Sequence, residues 1–289
     1  MVGGGSASLE AARILAERGH RVTLFEANKQ LSGQVVLAAK VGWRKSLIGI
    51  VDWLSAELDH LEITIHLNTY VEAEDLLTEE PEVVVLANGG LPIQYLPEGG
   101  EEHTITPWDF LTQSKYPSGR VLYFDQTSGE GALSAAQHLV ENGAELLFVT
   151  PDRLPGYDVG AQNLPVFMKT LLKQQTQFVT DTYLLGVQQE GSALSAKCRN
   201  RYTGDIHKLV VDTVVLDQGV AADNELFDRL APNASNKGEI NLDAMADMKP
   251  QPREKEAGGA YRLLRVGDAL MSRNIHAVIL DARCLCLPI

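Results

Sequence analysis

Residues 1–26 read MVGGGSASLEAARILAERGHRVTLFE, and this stretch decides the fold. A glycine cluster is followed at once by a segment of helical period. In the pattern G-x-G-x-x-G, the first glycine makes a tight turn, the second lets the backbone approach a pyrophosphate, and the third allows close helix–strand packing. These positions are Gly3, Gly5 and Ser8 here. The stretch therefore predicts a strand, a glycine turn and a helix whose N-terminus holds a nucleotide diphosphate.

Spacing beyond the glycines supports the same prediction. Ala12 and Gly19 keep small residues where the helix must lie against a strand. Glu26 ends the next strand-like segment, where a carboxylate accepts hydrogen bonds from an adenosine ribose and repels a 2′-phosphate. The bound half of the ligand is therefore predicted to be ADP-like. The alternative is a glycine turn that opens an ordinary strand–helix pair.

Later segments are predicted to extend this site. Each is also explained by an ordinary turn or, for the arginine, by a surface position. Asp268 is expected to bind a ribitol hydroxyl, which indicates FAD rather than ADP alone. No catalytic residue and no metal ligand is predicted. The predicted cofactor-binding residues are Gly3, Gly5, Ser8, Glu26, Gly33, Gln34, Arg44, Ala87, Asn88, Gly89, Gly267 and Asp268.

Strand-like and helical segments alternate along the chain, which predicts an α/β fold with parallel, doubly wound sheets. The pattern restarts after residue 118, and a second valine-rich strand ends in a glycine turn at 219, as a first does at 90. This order predicts two Rossmann-like nucleotide-binding domains, the second inserted into the first. The FAD/ADP-binding domain is expected at residues 1–112 and 220–289, and the NAD(P)-like domain at 113–219.

The second domain departs from the nucleotide-binding pattern. After its first strand the glycines arrive late, at Gly129 and Gly131. Asp125 and Glu130 place negative charge where a pyrophosphate would lie, and electrostatics opposes binding unless both face away. Binding of NAD(P)H by this domain is therefore an open alternative, and the failed fingerprint argues against it.

The bulk composition limits the class of protein. The chain has 289 residues and a formal net charge of −13, which argues against non-specific binding to nucleic acid or to anionic membranes. Its three cysteines form neither a disulfide framework nor a zinc spacing, so a cytoplasmic location is expected. No apolar run approaches the roughly 18 residues of a membrane span.

Six stretches resemble a known family. They are GGGSASLEAARILAERGHRVTLFEA, LSGQVVLAAKV, TPWDFL, VTPDR, RNRYTG and RVGDALMSRNIHAVILDA. Together they resemble the C-terminal half of the NADH:flavin oxidoreductases, which include 2,4-dienoyl-CoA reductase and trimethylamine dehydrogenase. Within that family, the amine-dehydrogenase and N-methylproline demethylase-like branch is the most similar.

The resemblance implies the fold of pyridine-nucleotide-disulfide oxidoreductases, with FAD or ADP in the first domain. In the family, substrate chemistry takes place in an N-terminal TIM barrel with FMN and a four-cysteine iron–sulfur site. Residues 1–289 contain no counterpart of that barrel, and the short strand before Gly3 indicates a chain cut inside that strand.

Two functional hypotheses follow from this resemblance. The first is an FAD-dependent electron-transfer module of an oxidoreductase that is not catalytically complete alone. Its partner would be a catalytic FMN/iron–sulfur barrel subunit or a separate electron-acceptor protein. The second hypothesis is a non-catalytic ADP- or FAD-binding docking module of a split or truncated enzyme.

Overall fold

The computed structural model describes residues 1–113, 116–252 and 259–289. Positions 114–115 and 253–258, which fall within the two predicted domains, lie outside the described residues. The α-helices are α1 (Ser6–Glu17), α2 (Val35–Ala38), α3 (Ile48–Asp59), α4 (Ala73–Thr78), α5 (Pro107–Thr112), α6 (Glu130–Glu141), α7 (Leu164–Lys173), α8 (Glu225–Leu230), α9 (Leu242–Ala246) and α10 (Ile275–Cys286). Among the described residues, none of the helices has the length and apolar character needed to cross a membrane.

The strands are short in the first part of the chain and longer in the middle. They are β1 (Val22–Phe25), β2 (Ile63–His66), β3 (Val83–Leu86), β4 (Gly90–Pro92), β5 (Thr104–Ile105), β6 (Arg120–Asp125), β7 (Glu145–Val149), β8 (Gln177–Val179), β9 (Thr182–Glu190), β10 (Ala193–Asn200), β11 (Ile206–Val211), β12 (Thr213–Asp217), β13 (Val220–Ala222) and β14 (Arg262–Arg265).

The chain forms two compact units. The first unit comprises Met1–Val36, Ser46–Leu91 and Val220–Ile289, and the second comprises Leu37–Lys45 and Pro92–Gly219. The longer segment of the second unit, Pro92–Gly219, includes β5, which pairs in parallel with β12. The bounds expected from the sequence for the two nucleotide-binding domains stay a prediction.

In the first unit a parallel sheet has the order β2–β1–Val2–β3–β14. Val2 occupies the central position through isolated parallel bridges to Phe25 and Leu86. The backbone N–H of Val2 donates to the carbonyl of Val85 at 3.0 Å, and its carbonyl accepts from Ala87 at 2.8 Å. The segment that precedes the glycines is therefore the centre of a Rossmann-like sheet, and the glycine turn leaves its carboxyl end.

Helix α1 packs against this sheet and against α3 and α10. Its small residues Ala11 and Ala12 are fully buried, as are Leu9 and Ile14. Burial of each large apolar side chain of this kind stabilises the fold by about 1.5–3 kcal/mol. This packing fixes the N-terminus of α1 at the carboxyl edge of the sheet.

The second unit has two sheets. Strands β5, β12, β6, β7 and β8 form a parallel sheet in that order, and β9, β10 and β11 form an antiparallel sheet. Helix α6 covers one face of the parallel sheet, and the antiparallel sheet covers the other. The predicted α/β class with parallel sheets is confirmed.

Candidate functional site

The glycine turn presents free backbone donors at the start of α1. Gly5 precedes the helix with extended backbone and caps it with no side-chain hydrogen bond from the described residues. The first turn carries no acidic residue. Uncapped N–H groups and the helix dipole favour an anion at this place. The N-terminus of this helix can therefore hold a diphosphate, as the sequence predicts.

Two predicted segments, the end of β3 and the LSGQ loop, lie against this turn at distances that leave no room for a side chain. A Cβ on Gly3, whose φ is +101°, would lie 2.2 Å from the carbonyl oxygen of Ala87. A Cβ on Gly33 would lie 2.8 Å from the Cα of Gly5. The turn therefore meets both the end of β3 and the LSGQ loop, backbone against backbone.

The Gly-Asp turn at residues 267–268 reaches the same helix end. Gly267 has a φ of +64°, and a Cβ there would lie 2.8 Å from the Cβ of Ala7. Segments separated by more than 200 positions in the sequence thus meet at the first turn of α1. The structure brings Gly3, Gly5, Gly33, Ala87 and Gly267 together around this helix end, and their role as cofactor contacts stays a prediction.

Glu26 lies next to the glycine turn and is only 6% exposed. Its Oε1 accepts from the backbone N–H of Asn28 at 2.6 Å and from the Asn28 side chain at 2.7 Å. A Cβ on Gly4 would lie 2.7 Å from the other carboxylate oxygen, Oε2. Sequence reasoning overlooked Gly4 and Asn28, although the run of three glycines was the available signal. The Oε2 atom is left to act as an acceptor beside the turn.

Two predicted residues carry buried polar atoms without partners. The Asn88 side chain donates to the carbonyl of Asp223 at 3.0 Å, whereas its Oδ1 is buried and accepts from no described group. The Oγ of Ser8 is likewise buried and unpaired within the described part of the chain. Each of these two atoms would gain a hydrogen-bond partner if a bound ligand donated to it. Gly89, with a φ of +82°, has open space beside it.

Asp268 is held by two segments. Its Oδ2 accepts from the Gln34 side chain at 3.0 Å, and its Oδ1 accepts from the backbone N–H of Arg273 at 3.4 Å. Burial raises the pKa of Asp268, and the two hydrogen bonds oppose that rise. The carboxylate is thus fixed between the LSGQ loop and the turn that precedes α10.

These observations fit a dinucleotide, FAD or NAD(P), better than an isolated phosphate. The glycine cradle excludes side chains at three positions, an anion site stands at the helix end, and an acid lies on each flank of the cradle. The buried Oδ1 of Asn88 is an acceptor that a bound ligand would satisfy.

Arg44 belongs to the second unit and is engaged there. Its guanidinium forms a 2.7 Å ion pair with Glu130 and lies over the ring of Trp43. Asn163 also donates to Glu130, at 2.7 Å. The role of Arg44 as a cofactor ligand stays a prediction, while its observed partner is the first residue of α6.

The nucleotide-type loop of the second unit is occupied by its own side chains. Asp125, which is fully buried, accepts at Oδ1 from the Thr127 N–H at 2.8 Å, the Thr127 hydroxyl at 2.8 Å and the Ser128 N–H at 3.2 Å. Burial, with a further contribution from Asp217, raises the pKa of Asp125 to about 6. Glu130 stands in the first turn of α6. The N–H groups of Thr127 and Ser128 therefore already donate to a carboxylate, and that this domain does not bind NAD(P)H stays a prediction.

Comparisons with known proteins agree with this division. Residues 1–39, which contain the glycine turn and Glu26, match the family described as an NAD(P)-binding Rossmann-like domain. The chain is 37% identical over 297 residues to the N,N-dimethylglycine/sarcosine dehydrogenase of Chromohalobacter salexigens, a match that covers 99% of this chain and 43% of that protein. It is 39% identical over 282 residues to a probable N-methylproline demethylase of Rhizobium meliloti, covering 98% of this chain and 42% of that protein.

A solved structure shows the same fold. A 2-naphthoyl-CoA reductase complex superposes with a TM-score of 0.82 at 22% sequence identity, covering 100% of this chain and 39% of the reductase chain. The chain therefore spans less than half the length of these larger proteins.

Proposed function

This chain is a relative of one part of the oxidoreductases that include dimethylglycine/sarcosine dehydrogenase and N-methylproline demethylase, and from that premise we propose that its first unit binds FAD as an electron-transfer cofactor. The resemblance expected from the sequence is confirmed at this level. The identity of the cofactor and the reaction that it serves are the proposal.

One observation carries the proposal. Three segments that the sequence predicts as ligand contacts, and that lie far apart in the chain, meet the glycine turn or the first turn of α1, each at a place where the Cβ of a substituted glycine would collide. A glycine turn that merely opened a strand–helix pair would need no such convergence. Close approach of several backbones around a helix N-terminus is what a dinucleotide requires.

Each group of the first unit is given a role from where it lies relative to the glycine turn. The N–H groups at Gly5 and the first turn of α1 would hold the diphosphate, and Glu26 would accept hydrogen bonds from the adenosine ribose. Asp268 and the Oδ1 of Asn88 would face the flavin side of the ligand. When bound, the flavin supplies electron transfer; the chain's own groups bind it and orient it.

Relatives are more than twice as long, so we propose that demethylation or amine oxidation takes place in a catalytic FMN/iron–sulfur barrel or that electrons leave to a separate acceptor protein. The second unit would contribute shape rather than a nicotinamide site, since Asp125 occupies its loop.

A second candidate function is a non-catalytic docking module that retains ADP. What favours it is that Gly3, Gly5, Glu26 and Gly33 lie at the glycine turn or beside it, where they would contact the ADP half of the ligand. The visible spectrum of the purified chain separates the two. Flavin absorbance, with FAD released on denaturation, supports the first; colourless protein that releases ADP supports the second. If the chain neither retains nor binds FAD or ADP on titration, both proposals fail.

A further inference from the structure

A buried acid on α10 holds the Gly-Asp turn in place, and the function proposed above does not account for it. Asp281 is 2% exposed and lies on the face of the helix that packs inward. A carboxylate is rarely buried to this degree unless it is paired. Its partners therefore show what it does.

The partners of Asp281 belong to the turn and to the segment directly after it. The guanidinium of Arg273 forms an ion pair with the Asp281 carboxylate, and the backbone N–H of Gly267 donates to the same carboxylate. Gly267 immediately precedes Asp268, and the backbone N–H of Arg273 donates to Asp268. Asp281 thus binds Gly267, which precedes Asp268, and Arg273, whose backbone N–H donates to Asp268.

The Gly267–Asp268 turn is also held by contacts that do not involve Asp281. Gly267 is pressed against Ala7 of α1, and a Cβ there would also lie 3.4 Å from the Cβ of Val278 on α10. Gln34 holds the outer oxygen of Asp268. Helix α1, the Gln34 side chain and the Asp281 carboxylate therefore hold the turn that carries Asp268.

We propose that Asp281, with Arg273, is a positioning pair that sets the orientation of Asp268 toward the ribityl portion of FAD. The pair does not touch the ligand and acts through the Gly267–Asp268 turn. This inference rests on the proposed function, because it presumes that Asp268 faces the flavin half of FAD.

Comparing the affinities for FAD and for ADP tests this proposal. The two ligands share the diphosphate and the adenosine, and only FAD has a ribityl chain. If the pair positions Asp268, Asp281→Asn weakens FAD binding on the order of tenfold and leaves ADP binding within about twofold, which corresponds to the loss of one charged hydrogen-bond contact. Arg273→Ala should give the same pattern. The Arg273 side chain is 33% exposed, so its removal disturbs the core less than a change at Asp281.

A matched control exists at the same helix pair. Glu10 on α1 is also 2% exposed, and it pairs with Arg283 of α10 and with Arg13. Glu10→Gln breaks a buried ion pair that has no member in the Gly267–Asp268 turn, so it should lower the melting temperature without changing the ratio of FAD to ADP affinity. The measurement is isothermal titration of the cofactor-stripped chain with each ligand in turn, with a thermal melt of every variant.

The titrations have outcomes that support the inference and outcomes that overturn it. Selective loss of FAD affinity in Asp281→Asn and Arg273→Ala supports the inference. Equal loss of FAD and ADP affinity, as in a general loosening of the fold, overturns it, as does unchanged affinity for both ligands in both variants. If the unmodified chain binds ADP but no FAD, the proposed flavin function fails and this inference fails with it.

Discussion

The Cα of Gly5 lies where a Cβ on Gly33 would come within 2.8 Å of it. This contact joins the start of α1 to a loop that follows β1. Gly33 cannot be replaced without moving backbone, whereas a Cβ on Gly5 would lie 3.7 Å from the Cα of Gly33, an ordinary contact distance. The constraint therefore falls on Gly33.

Gly33→Ala should weaken ADP binding at least tenfold. The new methyl group collides with Gly5, and the φ of +57° disfavours alanine by about 1 kcal/mol. Gly19→Ala is the control, because Gly19 also has a positive φ, +88°, but has open space around it. The control should lose stability by a similar amount and keep its ADP affinity in a calorimetric titration. A Gly33→Ala variant that binds ADP like the unmodified chain would contradict the assignment of the turn.

Glu26→Gln should reduce both affinity and selectivity. The carboxylate beside the glycine turn accepts from a ribose and repels a 2′-phosphate, so its neutral analogue should lower ADP affinity about tenfold. The preference for ADP over 2′-phosphorylated ADP should shrink at the same time. Glu17→Gln, at an exposed position of α1, serves as the control. Competition titration with the two nucleotides measures the ratio, and an unchanged ratio would remove Glu26 from the site.

Arg44→Ala should affect stability rather than binding. Its side chain is 11% exposed and its guanidinium pairs with Glu130 at 2.7 Å, so the substitution should lower the free energy of unfolding by about 1–2 kcal/mol. We expect ADP affinity to stay within twofold of the unmodified chain. Arg153→Ala, at an exposed position, should change neither quantity. A tenfold fall in ADP affinity would instead establish Arg44 as a cofactor ligand.

The chain should bind one ADP-type nucleotide, not two. In the second unit, the N–H groups of Thr127 and Ser128 already donate to Asp125. Calorimetry with ADP should give a stoichiometry of one, and NADH fluorescence should not change when the chain is added. Two equivalent ADP sites, or a saturable NADH signal that survives in Gly33→Ala, would show that the second unit binds nucleotide after all.

Stability should fall as the pH rises through the range in which Asp125 titrates. Its pKa in the fold is about 6, above the ordinary value of 3.8, so the folded state binds a proton more tightly than the unfolded state. This contribution is fully present below about pH 4, and its loss is complete above about pH 7, amounting to about 3 kcal/mol. The groups that face Asp125 are Asp217, Thr127 and Ser128.

Asp125→Asn removes that titration. Urea unfolding between pH 4 and pH 8 should show a shallower decline for this variant than for the unmodified chain, and greater stability at pH 8. Asp158→Asn, at an exposed position of the same unit, should follow the unmodified chain. Parallel pH profiles for all three proteins would show that the buried carboxylate does not control stability.

The local parts of the site could be predicted from the sequence. Gly3, Gly5 and Glu26 lie within one strand–helix–strand segment, where spacing along the chain fixes spacing in space. The valine-rich segment that became β3 was recognisable because a strand buried on both faces is apolar throughout. For the same reason the α/β class followed from periodicity alone.

Other features depended on packing between distant segments. Arg44 looked like a candidate for the nucleotide loop, and only the fold showed that Glu130 holds it. Asp281 was one acid in an apolar helix, a signal whose meaning needs its partner Arg273. Long-range ion pairs of this kind leave no periodic trace in a single sequence.

That a glycine turn leaves a buried strand and enters a helix follows from the sequence, because propensity and period act over neighbouring residues. That Ala87, Gly33 and Gly267 meet this turn at distances that exclude a side chain depends on the folded chain. A parallel sheet brings the carboxyl ends of its strands to one edge, whatever their separation along the chain. The sheet order therefore built the site, and the glycines made room for it.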